Sequence, residues 1–463
     1  MTKSNSPEPG PEGGGLPRAS AGKIPVAFAS PASNHARETS EQFSVVDIPH
    51  AERQVPRLLV RQTGGAKQKS RANAPPHPEL SCLRFWAFLL IFAHHFLGRY
   101  QEAIVGLSND PRSSRIVSAL FDSGSLGLDM FFCLSSFLIT GILLREFEAN
   151  GRLDISAFLA RRALRIFPLY FGFLALTVFV LPHVLPNEHL SGQYLIAFLL
   201  FGANWICAFQ GFPTSVAAPL WSVSGEQQFY ALWPVLLGWL SPRRIVPLAL
   251  GCILLSTTVR ASVLHLGLAR PAIWANTLAH LDPIAVGALC SVWLRNRQSD
   301  FGEATRRWLL AFGVGLPLTL LFILGPSAYH GPWSIVFYPV AALACGSILL
   351  SVYRQTTGTH RRWLVYLGQI SYGLFVFHTL AIQLVQGIFV AVLPSPQGMS
   401  FKAAFGFGQM SVALALTTAT AMLSYRFFEE PFLRYKAMFR PTKPSQPAFE
   451  RLGGSPAVVL VPK

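Results

Sequence analysis

The sequence predicts an all-α membrane protein, a polytopic bundle of about ten transmembrane helices with the N- and C-termini in the cytoplasm. Hydrophobic residues make up 51% of the 463 residues and charged residues only 13%, whereas about a quarter of the residues in a soluble domain are charged. Apolar runs long enough to cross a bilayer, which takes about 20 residues, recur along the chain. The loops between these runs alternate between strongly basic and almost free of Lys and Arg, which indicates repeated crossing of a membrane.

The apolar runs set the order of the predicted helices. They lie at 82–98, 124–144, 164–182, 193–209, 226–241, 245–263, 275–294, 308–325, 333–352, 364–392 and 403–428. The basic loops all face the cytoplasm only if the run at 193–209 does not make a full crossing. That run contains Gly202 and Asn204 and is followed by "QGFPTSVAAP", so we expect a re-entrant or interfacial segment there and about ten spans in total.

The two ends of the chain differ in composition from the middle. Residues 1–78 are rich in Pro, Gly and Ser, which predicts a disordered tail without a cleavable signal peptide. Its last part, 53–78, carries six Lys or Arg residues and no acid, so we expect it in the cytoplasm near anionic lipid. The membrane domain is predicted over 79–435, and 436–463 is predicted to be a second disordered tail.

The excess of positive charge fits membrane topology. The formal net charge is +16, which in a soluble domain would suggest a nucleic-acid partner. Here the basic residues lie beside apolar runs, so we expect membrane lipid as a partner, no nucleic acid, and a place in the cell (inner) membrane. The histidines lack carboxylate or cysteine partners at metal-ligand spacing, and we expect no metal site.

The first predicted helix carries two polar residues at membrane depth. Arg84 and His95 are eleven positions apart, so they project from nearly the same helix face, about 16 Å apart along the axis. A snorkelling arginine and a packed histidine would also explain them. Because ionisable groups inside a membrane are expensive and usually functional, we expect both to face one buried chamber. His94 projects about 100° away and is expected to pack.

A second basic pair precedes the third predicted span. In "RRALRIFP", Arg162 and Arg165 are three residues apart and share a helix face. Positive-inside charge would account for one of them. Two guanidinium groups on one face also form a phosphate-binding fork.

Five further residues are candidates because they lie in or beside apolar runs. Glu226 opens a helix, where the helix dipole alone would favour it, and Asp282 lies within a run, where an unpaired aspartate is costly. Asp129 stands at the start of a predicted helix, and Ser135 lies six residues further along it. His378 ends the stretch "SYGLFVFH", within an apolar run.

The sequence motifs that contain these residues, taken in their order along the chain, resemble those of the acyltransferase-3 family of multi-span O-acyltransferases. These enzymes modify glycans, lipid-linked sugars and small glycosides. The resemblance covers about residues 80–435 and rests on the Arg84 to His95 spacing, "GLDMFFCLSSFLITGILL", "RRALRIFPLY", "WSVSGEQQFYALWP", "LDPIAVGAL", "LGQISYGLFVFH" and "SYRFFEEPFLR". Ser136, Gln227 and His280 depart from the family pattern, in which a glycine, a glutamate and an arginine are common.

The resemblance implies an enzyme that transfers an acyl group from cytoplasmic acyl-CoA, most commonly acetyl-CoA, to a hydroxyl of a carbohydrate, lipid-linked sugar or glycoside, with no bound cofactor. Carried over, His95, Arg84 and Glu226 are the expected catalytic residues, with His95 as general base. Arg84, Arg162 and Arg165 are expected to bind the phosphates of acyl-CoA. We assign acceptor binding or support to Asp282, His378, Ser135 and Asp129, and either Glu226 or Asp282 would fix the tautomer of His95 or hold the acceptor.

Three alternatives stay open at this stage. The intramembrane Arg, His, Glu and Asp side chains would also suit an ion or proton relay in a transporter or channel, although no inverted repeat is visible. All the blocks would be packing motifs in a purely structural membrane subunit. An acyl-enzyme route through Ser135 is a lesser alternative to direct transfer, since no base is adjacent in sequence.

Overall fold

The computed structural model describes residues 77–98, 111–185, 187–240, 244–268, 271–295, 297, 300–325, 327–355, 361–392 and 399–439. Within these ranges the chain forms helices and no strands, which confirms the predicted all-α class. The predicted tails, 1–78 and 436–463, lie outside the described residues except for 77–78 and 436–439.

The first half of the chain contains seven of the helices that we label. They are α1 (Pro78–Leu97), α2 (Pro111–Ser123), α3 (Leu126–Asn150), α4 (Ile155–Phe179), α5 (Gly192–Leu199), α6 (Ala203–Gln210) and α7 (Trp221–Trp239). Single turns lie at Leu181–Val184 and at Ala218–Leu220.

The second half contains the other labelled helices. They are α8 (Ile245–His265), α9 (Asp282–Arg295), α10 (Glu303–Leu324), α11 (Ser334–Val352), α12 (Arg362–Gln369), α13 (Ser371–Val392) and α14 (Met399–Ser424). Short helical turns lie at Pro271–Trp274, Thr277–His280 and Ser327–His330, and α14 is continued by turns at Tyr425–Glu429, Glu430–Arg434 and Tyr435–Phe439.

Eight helical stretches of the described residues are long and apolar enough to cross a membrane. They contain α1, α2 with α3, α4, α8, α10, α11, α13 and α14. The two other predicted spans, 226–241 and 275–294, correspond to α7 and α9, and α9 has only 14 residues, because the start of its apolar run is taken up by the turn Thr277–His280. The chain is therefore a multi-pass membrane protein, and both the tenfold crossing and the cytoplasmic position of the termini stay predictions.

The run at 193–209 is broken in two. Its halves, α5 and α6, have eight residues each, so each is about 12 Å long, far short of the roughly 30 Å hydrocarbon core. The break lies at Phe201 and Gly202, where Phe201 has a φ of 52°. A left-handed residue ends a helix, and the N–H of Gly202 donates to the carbonyl of Ala197 at 2.7 Å as the chain turns into α6.

Close approach of backbones holds the central helices together. A Cβ atom on Gly127 of α3 would overlap the carbonyl oxygen of Ala87 in α1, and one on Gly287 of α9 would overlap that of Cys133 in α3. Small residues at such crossings let helices pack closely without help from the hydrophobic effect, which is weak between helices in lipid. As a result, α1, α3 and α9 form a tightly packed core that fixes the polar residues they carry.

Candidate active site

Three arginines line one cavity in the helical domain. Arg84 of α1 and Arg162 and Arg165 of α4 face it, together with Ser135 of α3 and Glu226 and Tyr230 of α7. None of the three arginines forms an ion pair with a carboxylate among the described residues, and all three are only partly buried. Unpaired guanidinium groups that converge from two helices leave a site of positive charge suited to an anion.

The start of α4 determines which arginines enter the cavity. Asp154 caps the helix, and hydrogen bonds from the backbone N–H of Ala157 (2.9 Å) and the hydroxyl of Ser156 (2.8 Å) hold the pKa of its carboxyl below the usual value. Arg161 then turns away to Glu146, 3.4 Å distant. Arg162, on the next face, lies over the rings of Phe158 and Tyr230, at 5.4 and 5.5 Å from their centroids. Two adjacent arginines therefore have different surroundings.

Glu226 is held by two hydroxyl groups. Ser135 Oγ donates to Glu226 Oε1 at 2.5 Å, and the hydroxyl of Tyr230 also donates to that oxygen. Tyr230 further contacts Ser135 Oγ at 3.2 Å. This network joins α3 to α7 beside the arginines. Tyr230 was not among the predicted residues, although its place one turn after Glu226 puts both on one helix face.

His95 lines a second cavity with a different character. Its neighbours there are His94, Trp221, Trp274, Ser125 and Ser222, and further lining residues are Ile91, Gly124, Leu128, Pro219 and Phe375. His95 Nδ1 donates to the backbone carbonyl of Ile91 at 3.0 Å, which leaves Nε2 as the nitrogen with a lone pair. A carbonyl of its own helix thus helps to orient His95. Glu226 and Asp282, the sequence-based candidates for that task, have other partners.

The two cavities adjoin. Leu128, Ser222 and Phe375 line both of them. Arg84 and His95 project from nearly the same face of the continuous helix α1, about 16 Å apart along its axis. The structure therefore divides the single chamber expected from the sequence into two neighbouring cavities with a common wall.

His378 lies beside His95. Their ring centroids are 4.9 Å apart and the rings are nearly perpendicular, at 72°. His378 is fully buried, and its Nδ1 donates to the carbonyl of Phe375 at 2.5 Å. Its Nε2 has no hydrogen-bond partner among the described residues. His94, in contrast, donates through Nδ1 to the carbonyl of Phe121 at 2.9 Å, which ties α1 to α2.

The two remaining candidates form buried ion pairs and line neither cavity. Asp282 accepts hydrogen bonds from both terminal nitrogens of Arg260 in α8, at 2.5 and 3.1 Å, and both side chains are fully buried. Asp129 lies 2.5 Å from His280 Nε2. The partner that an intramembrane aspartate requires is thus Arg260 in one case and His280 in the other. The sequence reasoning missed Arg260, although an arginine within the apolar run at 245–263 is itself a signal.

No group of three His, Cys, Asp or Glu side chains in the described part of the chain could hold a metal ion. The chemistry available at the two cavities is therefore that of guanidinium groups, hydroxyl groups, one carboxylate and imidazole rings.

Comparison with known proteins supports a common origin with membrane acyltransferases. A family model described as an acyltransferase domain, of the acyltransferase-3 type, matches residues 77–426. The peptidoglycan O-acetyltransferase OatA of Listeria monocytogenes is 26% identical over 340 residues, which is 66% of this chain and 51% of the relative. The O-acetyltransferase OatA of Staphylococcus aureus is 25% identical over 352 residues, 70% of this chain and 55% of the relative.

The chain thus spans about half the length of these curated relatives. No solved structure matches it. The family match covers all described helices from α1 to α14 and confirms the resemblance seen in the sequence motifs. The chain is a multi-pass membrane protein that belongs to the acyltransferase-3 family.

Proposed function

We propose that this protein is a membrane O-acetyltransferase that moves an acetyl group from acetyl-CoA to a hydroxyl of a carbohydrate acceptor. The observation that carries the proposal is the cavity in which Arg84, Arg162 and Arg165 converge without an ion-pair partner in the described chain. That cavity shares a wall with the cavity of His95. The proposed site for a polyanionic donor thus adjoins the cavity that contains the proposed base.

The arginine cavity is the proposed site for the phosphates of acetyl-CoA. Guanidinium groups suit phosphate because they stay charged and offer parallel N–H donors. The extended arm of the donor then leads past Leu128, Ser222 and Phe375 towards His95. The separation of about 16 Å between Arg84 and His95 along α1 is of the order of the length of that arm.

His95 is the proposed general base. As the acceptor oxygen attacks the thioester carbonyl, its proton passes to His95 Nε2, the ring nitrogen that Ile91 leaves with a lone pair. The new C–O bond forms and the C–S bond breaks. The CoA thiolate leaves and takes the proton back from His95, so that the products are the O-acetylated acceptor and CoA–SH. His378, against the ring of His95, holds that ring in place.

The position of Ser135 favours direct transfer over an acyl-enzyme route. Ser135 shares its cavity with the three arginines and donates to Glu226 there. If the arginines bind the phosphates, the thioester lies an arm's length away from Ser135. Ser135 and Tyr230 then support the donor site, and the negative charge of Glu226 beside it offsets part of the positive charge of the arginines.

The proposal is tested with purified protein in lipid vesicles and radiolabelled acetyl-CoA. Release of CoA that depends on an added carbohydrate, with label appearing on that carbohydrate, is the expected result. His95→Ala should remove turnover and leave the affinity for CoA within about twofold. His265→Ala, at an exposed histidine of α8, is the matched control. Full turnover by His95→Ala would refute its role as base, and flux of ions or solutes without CoA release would refute the enzyme assignment.

A further inference from the structure

We propose that Trp221 and Trp274 form the binding platform for the acceptor, and that the sugar ring seated on them is uncharged. This inference rests on the proposed function, since it assigns the acceptor to the cavity that contains His95. It adds the residues that bind the acceptor and a restriction on the acceptor's charge.

The first observation is the position of the two indoles. Both line the cavity of His95. Trp221 is the first residue of α7, and Trp274 ends the short helix Pro271–Trp274. Their ring centroids are 6.2 Å apart at an angle of 62°, so the rings form two walls of one corner. A ligand in that corner contacts both walls while facing His95.

The second observation is that both rings are fixed by other aromatic side chains. The ring centroid of Phe212 lies 5.9 Å from that of Trp221. The ring centroid of Tyr329 lies 5.7 Å from that of Trp274, and these two rings meet edge to face. His280 packs 5.2 Å from Trp274 and donates through Nδ1 to its backbone carbonyl at 3.2 Å. Rings held in this way lose little conformational entropy when a ligand binds, so they are suited to binding rather than only to filling space.

The third observation is the absence of charge. Among the described residues that line this cavity there is no Asp, Glu, Lys or Arg side chain. Two acids on helices that border the cavity are engaged elsewhere: Asp129 with His280, and Glu226 with Ser135 and Tyr230. Burial of a charged group without a partner is strongly unfavourable. A carboxylate or phosphate on the reacting ring would meet no Lys or Arg among these described lining residues, whereas the arginine cavity next to it provides three guanidinium groups.

The polar groups of the cavity suit hydroxyl groups. Ser125 Oγ donates to the carbonyl of Asp122 at 2.5 Å, and Ser222 Oγ donates to that of Pro219 at 3.0 Å. Each serine oxygen therefore keeps lone pairs that can accept from a ligand hydroxyl. A pyranose ring has C–H groups on its faces and hydroxyl groups on its rim. Such a ring matches a cavity with aromatic walls and a few hydroxyl oxygens, the usual composition of small-molecule sites.

The experiment compares neutral and acidic acceptors across tryptophan variants. Acetyl-CoA turnover is measured with a set of neutral pyranosides and the corresponding uronic acids, for the wild type and for Trp221→Leu, Trp274→Leu and Trp274→Phe. Trp308→Leu is the control, because that indole is 76% exposed on α10. We expect the neutral pyranosides to raise CoA release above the acceptor-free rate, and the uronic acids to do so at least tenfold less efficiently.

We further expect each leucine variant to raise the KM for the acceptor tenfold or more, with the KM for acetyl-CoA within twofold of the wild type. Trp274→Phe keeps an aromatic wall and should recover part of the loss, which separates ring stacking from misfolding. Equal or better use of uronic acids, or leucine variants with the acceptor KM of Trp308→Leu, would overturn the inference. Wild-type protein that releases no CoA with any acceptor would instead refute the proposed function on which the inference rests.

Discussion

Replacement of Arg162 by alanine should weaken the binding of CoA by about 10- to 150-fold. Arg162 has no carboxylate partner among the described residues and lies over the rings of Phe158 and Tyr230, so its guanidinium is available to bind a phosphate. A hydrogen bond to a charged group contributes about 1.5 to 3 kcal/mol. At about 1.4 kcal/mol per tenfold change in the dissociation constant, its loss gives the stated range. Arg162→Lys retains the charge without the planar fork and should give an intermediate loss.

The neighbouring arginine provides the control. Arg161 pairs with Glu146 and donates to the backbone carbonyl of Phe439 at 2.5 Å, so Arg161→Ala removes the same charge from the same turn of α4 without changing the cavity. Titration calorimetry of CoA into protein in lipid nanodiscs gives the dissociation constants. Similar constants for the two alanine variants would show that Arg162 contributes only general positive charge, and the assignment of the phosphate site would be refuted.

Three further predictions concern the donor site and the helix core. Glu226→Gln removes the negative charge next to the arginines and should tighten CoA binding up to about tenfold in the same titration; weaker binding would contradict the role given to Glu226. Asp282→Asn leaves Arg260 buried without its counter-charge and should cost about 3 to 5 kcal/mol, seen as a lower Tm in detergent, and an unchanged Tm would contradict this. Gly287→Ala should lower the Tm because the new Cβ overlaps α3. The control Gly315→Ala, with nothing within 4 Å of the new Cβ, should raise the Tm slightly. Equal shifts of the Tm would show that the close approach of α9 and α3 is unimportant.

The sequence predicts the helices that are continuous apolar runs. The run at 245–263 becomes Ile245–His265 and the run at 333–352 becomes Ser334–Val352, because length and apolar character alone define a membrane helix. The run at 364–392 is different, since α12 ends at Gln369 and α13 begins at Ser371. Hydropathy is insensitive to a one-residue break between two helices, so the break could not be predicted from it.

In the candidate site, too, features within one helix can be predicted from the sequence, whereas contacts between helices cannot. The spacing of Arg84 and His95 on one helix follows from helix geometry, and the structure places both at adjoining cavities. Ser135, which binds Glu226, and Arg260, which binds Asp282, come from other helices, at separations of 91 and 22 residues. Such pairings depend on how the helices pack, and the sequence alone carries no simple pattern for them.

The Arg260–Asp282 pair has a consequence for how the chain enters the membrane during synthesis. An arginine at the centre of a membrane helix opposes insertion by about 2.5 to 3.5 kcal/mol, and Arg260, five residues before the end of α8, meets part of that cost. Its neutralising partner lies 22 residues later. At about 5 to 20 residues per second, the ribosome delivers that partner about one to four seconds after Arg260. During that interval α8 is poorly matched to lipid by itself, so α8 and α9 are best released into the bilayer together as a preformed hairpin.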